Sequence, residues 1–372
     1  MFLLREILFC SPLIVYAGFR IWTLIPQRPL KTLFLIAYIL FVLAFPLAET
    51  LSHHSDLGRT SAIMTAGYFS LPLLLYLFLF VILLDLALGV ARLTRVLSGE
   101  TVNSRRFRRI RLFLVLAVPV AVVVIGAVRN NRPQIREYSV EILQKSSEIR
   151  QLKIAFAADF HLRETTNGRF MERFVEKVNT ANPDIILIGG DVLEGDPKGD
   201  NLRQFEAQFR RLKSKYGVYG VPGNHDLRGP GAMVFFNQAG IRLLQDAVKK
   251  IDNAFYLVGR NDVRFTGRKS IHELLRECDR SLPVIVLEHR PTDLDNVSHS
   301  GADILLSGHT HNGQLFPANL VTKHRYELSW GYTLKNRTHV FVTSGIQVWG
   351  PPVRTAGVSE ILLINVSLRD DR

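Results

Sequence analysis

Only two cysteines occur in the 372 residues, Cys10 inside an apolar run and Cys278 near the end of an expected helix. That scarcity excludes a disulfide framework and a CxxC metal site, and it leaves the redox compartment unspecified. No internal repeat or low-complexity segment is present, which excludes repeat arrays. Acidic residues are also short: 33 Asp and Glu face 46 Lys and Arg, a net charge of +13. Such a balance on its own suggests nucleic acid or an anionic membrane as partner. Much of the excess, however, sits in one stretch between two apolar runs, where Phe107 is the only aromatic interleaved with the arginines. Without stacking platforms, nucleic acid is not expected as a partner.

What the sequence does have is two unlike halves, and its length suits two domains. The boundaries read as a transmembrane helical region over 1–130, a linker with an entry strand over 131–150, and a catalytic-type domain over 151–372. Apolar runs at about 7–26, 32–48, 63–90 and 112–128 approach the ~20 residues that cross a bilayer. They lack the polar stripe of a buried soluble helix, so four membrane spans are expected. Arg20 and Asp85 lie near span ends and are expected at the interface.

The stretch 91–111 carries Arg92, Arg95, Arg105, Arg106, Arg108, Arg109 and Arg111, and the first connection carries Arg28 and Lys31. The second connection holds Arg59 beside Glu49 and Asp56. The positive-inside rule then puts the two basic connections in the cytoplasm and the C-terminal domain on the extracytoplasmic face. Arg129, Arg132 and Arg136 after the fourth run argue the other way. "SRRFRR" partly resembles a twin-arginine export signal, but Arg108 and Arg109 interrupt the apolar residues that should follow, favouring a plain anchor. His53 and His54 read as solvated loop, since adjacent side chains of an extended segment diverge.

Beyond residue 150, buried strands are expected at 153–159, 184–191, 217–223, 282–289, 302–309, 339–345 and 360–366, with helices at 168–181 and about 200–216. That alternation argues for a layered α/β fold. Five strands run into polar clusters: Asp159-Phe160-His161, Gly190-Asp191, Gly223-Asn224-His225-Asp226, Glu288-His289 and Gly308-His309-Thr310-His311. A single histidine at a strand end is usually a satisfied polar side chain. Five clusters at the carboxyl ends of strands, where α/β sheets collect their ligands, point to a site for first-row divalent metals.

In their order and spacing these clusters resemble the signature of calcineurin-like metallophosphoesterases, over about residues 150–368. "VPGNHD", "SGHTHNGQ" and "TSGIQVWGPPVRTAGVSEILLI" look most like an exported or membrane-tethered bacterial branch. The resemblance implies an α/β/β/α sandwich and two divalent cations, manganese, iron or zinc. Asp159, His161, Asp191 and His311 would hold one; Asp191, Asn224, His289 and His309 would hold the other, with Asp191 bridging. Two cations lower the pKa of a water between them towards neutrality, and clamp the phosphate oxygens in the transition state. His225 would stabilise or protonate the leaving oxygen and Asp226 would orient it or a neighbour. Phe160 stands where smaller residues are commoner.

The expected function is hydrolysis of a phosphodiester or phosphoanhydride, with a phosphorylated substrate, such as a lipid, drawn from a bacterial cell membrane. A UDP-2,3-diacylglucosamine-type pyrophosphatase and a non-enzymatic sensor of metal and phosphate stay open. The Arg-rich segment 259–269 reads as solvated loop or as an anion clamp using Arg260, Arg264 or Arg268, and Trp349 either packs or walls the site. His272, His299, His324 and His339 fall outside every motif and read as surface or core residues.

Overall fold

The computed structural model describes residues 2–52, 61–143, 147–163, 166, 168–194, 199–228 and 231–369; His53 and His54 lie outside them. The chain forms two compact units, Met1–Val128 with Gly350–Val353, and Arg129–Trp349 with Arg354–Arg372.

The first unit is helical: α1 (Phe2–Leu24), α2 (Arg28–Ser52), α3 (Ser61–Leu93), the short α4 (Gly99–Asn103) and α5 (Arg105–Asn130). Among the described residues three helices are long and apolar enough to cross a membrane, over Arg28–Thr50, Met64–Leu93 and Arg105–Asn130. The first expected run is helical too, but it is not one of those three. α2 and α3 approach closely because residue 67 is glycine: a Cβ there would lie 2.5 Å from the Ala44 carbonyl oxygen. Arg20 and Asp85, expected to meet the interface separately, bind each other. The Arg20 guanidinium donates through Nε to Asp85 Oδ2 at 2.6 Å and through Nη2 to Oδ1, and the Tyr16 hydroxyl donates to the same carboxylate. The arginine stretch is less of a loop than its composition implied. Arg92 lies in the last turn of α3, and α5 starts at Arg105 because Ser104 Oγ accepts the Phe107 amide at 3.2 Å.

The second unit is built from β1 (Gln134–Leu143), β2 (Gln151–Ala157), β3 (Ile185–Ile188), β4 (Val218–Gly220), β5 (Arg242–Leu243), β6 (Ala247–Ile251), β7 (Phe255–Gly259), β8 (Val284–Leu287), β9 (Ile304–Ser307), β10 (Gly331–Lys335), β11 (Thr338–Val342) and β12 (Glu360–Arg369). They form two six-stranded sheets, ordered β1-β12-β2-β3-β4-β5 and β10-β11-β9-β8-β7-β6. Ile154, Phe156 and Leu187 of the first sheet share a core cluster with Leu257, Ile285 and Leu306 of the second. Residues alternating with these face outward beneath helices. Ala155, Ile186 and Ile188 pack with α6 (Gly168–Ala181), α7 (Gly199–Phe209) and α8 (Gly231–Gln238). Val258, Val284 and Leu305 pack with helices over Ile271–Leu275 and Leu294–His299. The result is the layered two-sheet sandwich.

α6 buries Phe170, Met171, Phe174, Val175 and Val178, the 3–4 residue spacing of one helix face. α7 stops at Phe209, short of the expected 216, because Arg211 and Leu212 close tighter turns onto Gln208 and Phe209. Strands β2, β3 and β4 are mutually parallel, as are β8 and β9, so their carboxyl ends emerge together.

Candidate metal centre

Each polar cluster follows one of those parallel strands. Asp159 and His161 leave β2, Asp191 leaves β3, Asn224 and His225 leave β4, His289 leaves β8, and His309 and His311 leave β9. Asp159, His161, Asp191, His309 and His311 all have positive φ, from 42° to 72°. Side chains with a Cβ avoid that region, and its concentration here is the backbone strain typical of functional sites. Two glycines make room. A Cβ on Gly223 would lie 2.1 Å from Asp191 Oδ1, and one on Gly308 would lie 2.5 Å from Asp159 Oδ2.

The donors converge in three overlapping sets, each with ligand atoms within 4.8 Å of one another: Asp159, His161 and His311; His161, Asp191 and His225; Asp191, His289 and His309. Nε2 of His161 lies 3.1 Å from Nε2 of His311 and 3.9 Å from Asp191 Oδ2, and Nε2 of His289 lies 3.1 Å from Asp191 Oδ2. Asp191 thus touches both ends of the constellation. Its Oδ1 also accepts the His225 backbone amide at 2.7 Å.

The imidazoles are aimed from behind. His289 Nδ1 bonds the Gly189 carbonyl at 2.8 Å, His311 Nδ1 bonds that of Gln347 at 3.2 Å, and His161 Nδ1 lies 2.9 Å from Glu194 Oε2. Such partners fix the tautomer that leaves Nε2 free to ligate. Asp226 works on backbone: Oδ1 accepts the amides of Val192 and Leu193, and Oδ2 accepts that of Gly223, tying the β3 and β4 exits together.

The charges fit a cation. Burial resists ionisation, yet His289 and His161 hold the Asp191 carboxyl well below the usual carboxylate range. Against the same burial, Asp191 and Asp159 push the His289 imidazole up to about 10. Burial, with His289 and Arg290, drives His309 down to about 2, and burial with His161 lowers His311, so both offer neutral lone pairs. Asn224 Oδ1 is buried without a hydrogen-bond partner, the condition of an atom meant for a metal.

Some expectations give way. Arg260 is buried and donates to Glu288 Oε2 at 2.8 Å and to Asp293 at 3.0 Å, and Arg268 donates to Glu288 at 2.6 Å. Those two neutralise a buried glutamate beside His289, so neither is a free anion clamp; Arg264 is exposed. Trp349 is 51% exposed, so it does not pack in a core. Phe160 points away from the ligands into the α6–α7 core, edge-on to Phe174 and Phe209.

Glu194 and Arg354 escaped sequence reasoning. Arg354 is fully buried and donates to the carbonyls of Ser344, Gly345 and Gln347, fixing the segment that orients His311. Neither has periodicity or motif spacing, although Arg354 closes the quoted "VWGPPVR".

Residues 152–313 match the family model of calcineurin-like phosphoesterases. The chain is 27% identical over 303 residues to an uncharacterized metallophosphoesterase of Campylobacter jejuni, covering 76% of this chain and 77% of that one. It is 31% identical over 243 residues to an uncharacterized metallophosphoesterase of Helicobacter pylori, spanning 63% of this chain and 64% of that one. A zebrafish (Danio rerio) protein named "Transmembrane protein with metallophosphoesterase domain" is 28% identical over 367 residues, 92% of this chain and 82% of that one. The relatives therefore include animal as well as bacterial proteins. On this family match and these relatives, residues 152–313 form a calcineurin-like phosphoesterase domain, the domain of metal-dependent phosphoester hydrolases.

Proposed function

We propose that the chain is a membrane-anchored phosphodiesterase or phosphoanhydride hydrolase with two divalent cations, manganese, iron or zinc, at the joined sheet ends. Asp159, His161, Asp191 and His311 hold one cation, and Asp191, Asn224, His289 and His309 hold the other. The observation that carries this reading is the overlap of the donor sets at Asp191, whose Oδ2 lies 3.1 Å from His289 Nε2 and 3.9 Å from His161 Nε2.

When bound, the cations supply electrostatic stabilisation of the phosphoryl oxygens and raise the acidity of a nearby water. The protein's own residues do the rest. His225 is half-exposed, with its amide pinned to Asp191 and its ring centroid 4.9 Å from that of His161. There it is placed to give a proton to the leaving oxygen. Asp226 keeps that loop in register through three backbone amides.

Membrane anchoring is supported by the three long apolar helices and by the zebrafish relative's name. The domain follows the C-terminal end of α5, whose N-terminal turns carry Arg105, Arg106, Arg108 and Arg109. The positive-inside rule puts that arginine end in the cytoplasm and the domain outside, whichever way the α1 region is counted. A substrate presented at the membrane surface, such as a lipid-linked phosphodiester, follows from the tether.

The test uses purified, detergent-solubilised protein and bis-p-nitrophenyl phosphate with and without Mn²⁺. Wild type hydrolyses the ester only with metal, and Asp191→Ala loses at least ~10²–10³ of the rate, the size of losing one key electrostatic contact. A wild type inert with every divalent metal, or a variant as active as wild type, contradicts the assignment.

A further inference from the structure

Between the C-terminal turn of α3 and the second turn of α5 the chain places seven arginines against one acid, Glu100, and no lysine. Arg92, Arg95, Arg105, Arg106 and Arg109 are exposed and Arg108 is half-buried. Among the described residues none of these six makes an ion pair, and the first turn of α5 contains no acid to offset the positive helix end. Arg111 differs, because its guanidinium donates to the Val102 carbonyl and it lines a small pocket with Arg20 and Asp85.

Orienting a membrane span requires only positive charge, which lysine supplies equally well. Consistent use of arginine points instead to planar, bidentate contacts with phosphate. The same surface exposes Leu93 (85%), Val96 (76%) and Phe113 (68%). A face that mixes guanidinium groups with bare aliphatic side chains suits the boundary between headgroups and acyl chains, where both find partners. A nucleic acid would leave those apolar side chains in water.

We propose that Arg92, Arg95, Arg105, Arg106, Arg108 and Arg109 form a collar that binds the headgroup phosphates of anionic phospholipids in the bilayer. The proposal rests on the membrane-anchored reading of the helical unit. Its test is native mass spectrometry of the full chain released from micelles doped with phosphatidylglycerol or phosphatidylcholine. Wild type should retain phosphatidylglycerol over phosphatidylcholine. The combined variant Arg105→Gln, Arg106→Gln, Arg108→Gln, Arg109→Gln should retain several-fold less, with its metal-dependent hydrolysis of bis-p-nitrophenyl phosphate unchanged as a check on folding. Equal retention by wild type and variant overturns the collar, as does equal retention of the two lipids. Displacement by soluble glycerol phosphate overturns the bilayer as the source of the ligand. A chain that stays in solution without detergent instead sinks the membrane reading beneath it.

Discussion

The two units of this chain handle apolar and charged groups in opposite ways. In the helical unit Leu33, Leu40, Leu83 and Leu86 stand more than 60% exposed, and six arginines with no ion pair among the described residues collect at one end. In the two-sheet unit Phe156, Phe174 and Phe341 are wholly buried, and so are Asp159, His161 and His289. On the proposed membrane reading, the first unit suits a solvent that accepts hydrocarbon. The other is arranged for water outside and concentrates charge in its centre, which carries a large desolvation penalty unless something compensates it. Exposure and burial therefore have to be weighed against the surrounding medium: an exposed leucine signals function in one unit, and a buried aspartate does so in the other.

The largest expected effect breaks the buried-charge side of that contrast. Arg354→Leu removes a guanidinium that donates to three carbonyls; Gly345 and Gln347 keep other donors, but the Ser344 carbonyl is left buried without one. That group costs ~1–3 kcal/mol and the two other lost charge-assisted bonds add to it, so stability should fall by a few kcal/mol, read as a lowered midpoint in urea. Metal affinity should fall with it, because Gln347 loses its hold on His311. An unchanged midpoint removes Arg354 from the account.

The next prediction sets equal exposures against each other. Leu40 is 64% exposed in α2 and Val234 is 58% exposed in α8. If the first faces lipid and the second water, Leu40→Asp should impose ~2.5–3.5 kcal/mol on insertion and deplete the membrane fraction. Val234→Asp should stay within ~0.5 kcal/mol in thermal unfolding. Equal tolerance at both positions erases the difference in medium.

These predictions lean on features of unequal legibility. The ligand clusters were readable because a metal demands particular side chains and parallel strands deliver them at their carboxyl ends, so chemistry and topology leave the same mark. The α6 face and the buried strands were readable from period and apolarity. The division into two sheets came only through the family resemblance, because strand composition does not record which neighbour a strand pairs with. The β6–β7 hairpin carried a local signal, Asp252-Asn253, two residues suited to the left-handed backbone they adopt. Arg260 and Arg268 looked like free cations because their partner Glu288 lies 20 or more residues away in sequence. Glu194, three residues beyond Asp191 in a loop, has no pattern at all; only the fold brings it to His161.

Glu194 gives the smallest effect and sharpens the comparison by its pH dependence. Burial opposes its charge, but Arg163 and His161 bring its pKa from 4.5 down to about 2. A depressed carboxyl stabilises the fold above its unfolded pKa and loses that contribution as pH falls through the folded value. Wild type should therefore lose thermal stability between pH ~4.5 and ~2 more steeply than Glu194→Gln. The variant should also bind metal ~10–100-fold more weakly near neutral pH, as other partners of ligating histidines do. Parallel acid limbs in the two proteins, with equal metal affinity, remove Glu194 from the centre.

On the proposed reading, the buried charges form one two-cation site joined at Asp191. Metal content measured by inductively coupled plasma mass spectrometry on manganese-loaded, desalted protein tests it most directly. About two equivalents per chain are expected in wild type and at most one in Asp191→Ala, since that one carboxylate would serve both ions. Two equivalents retained by Asp191→Ala, or none bound by wild type, would contradict it.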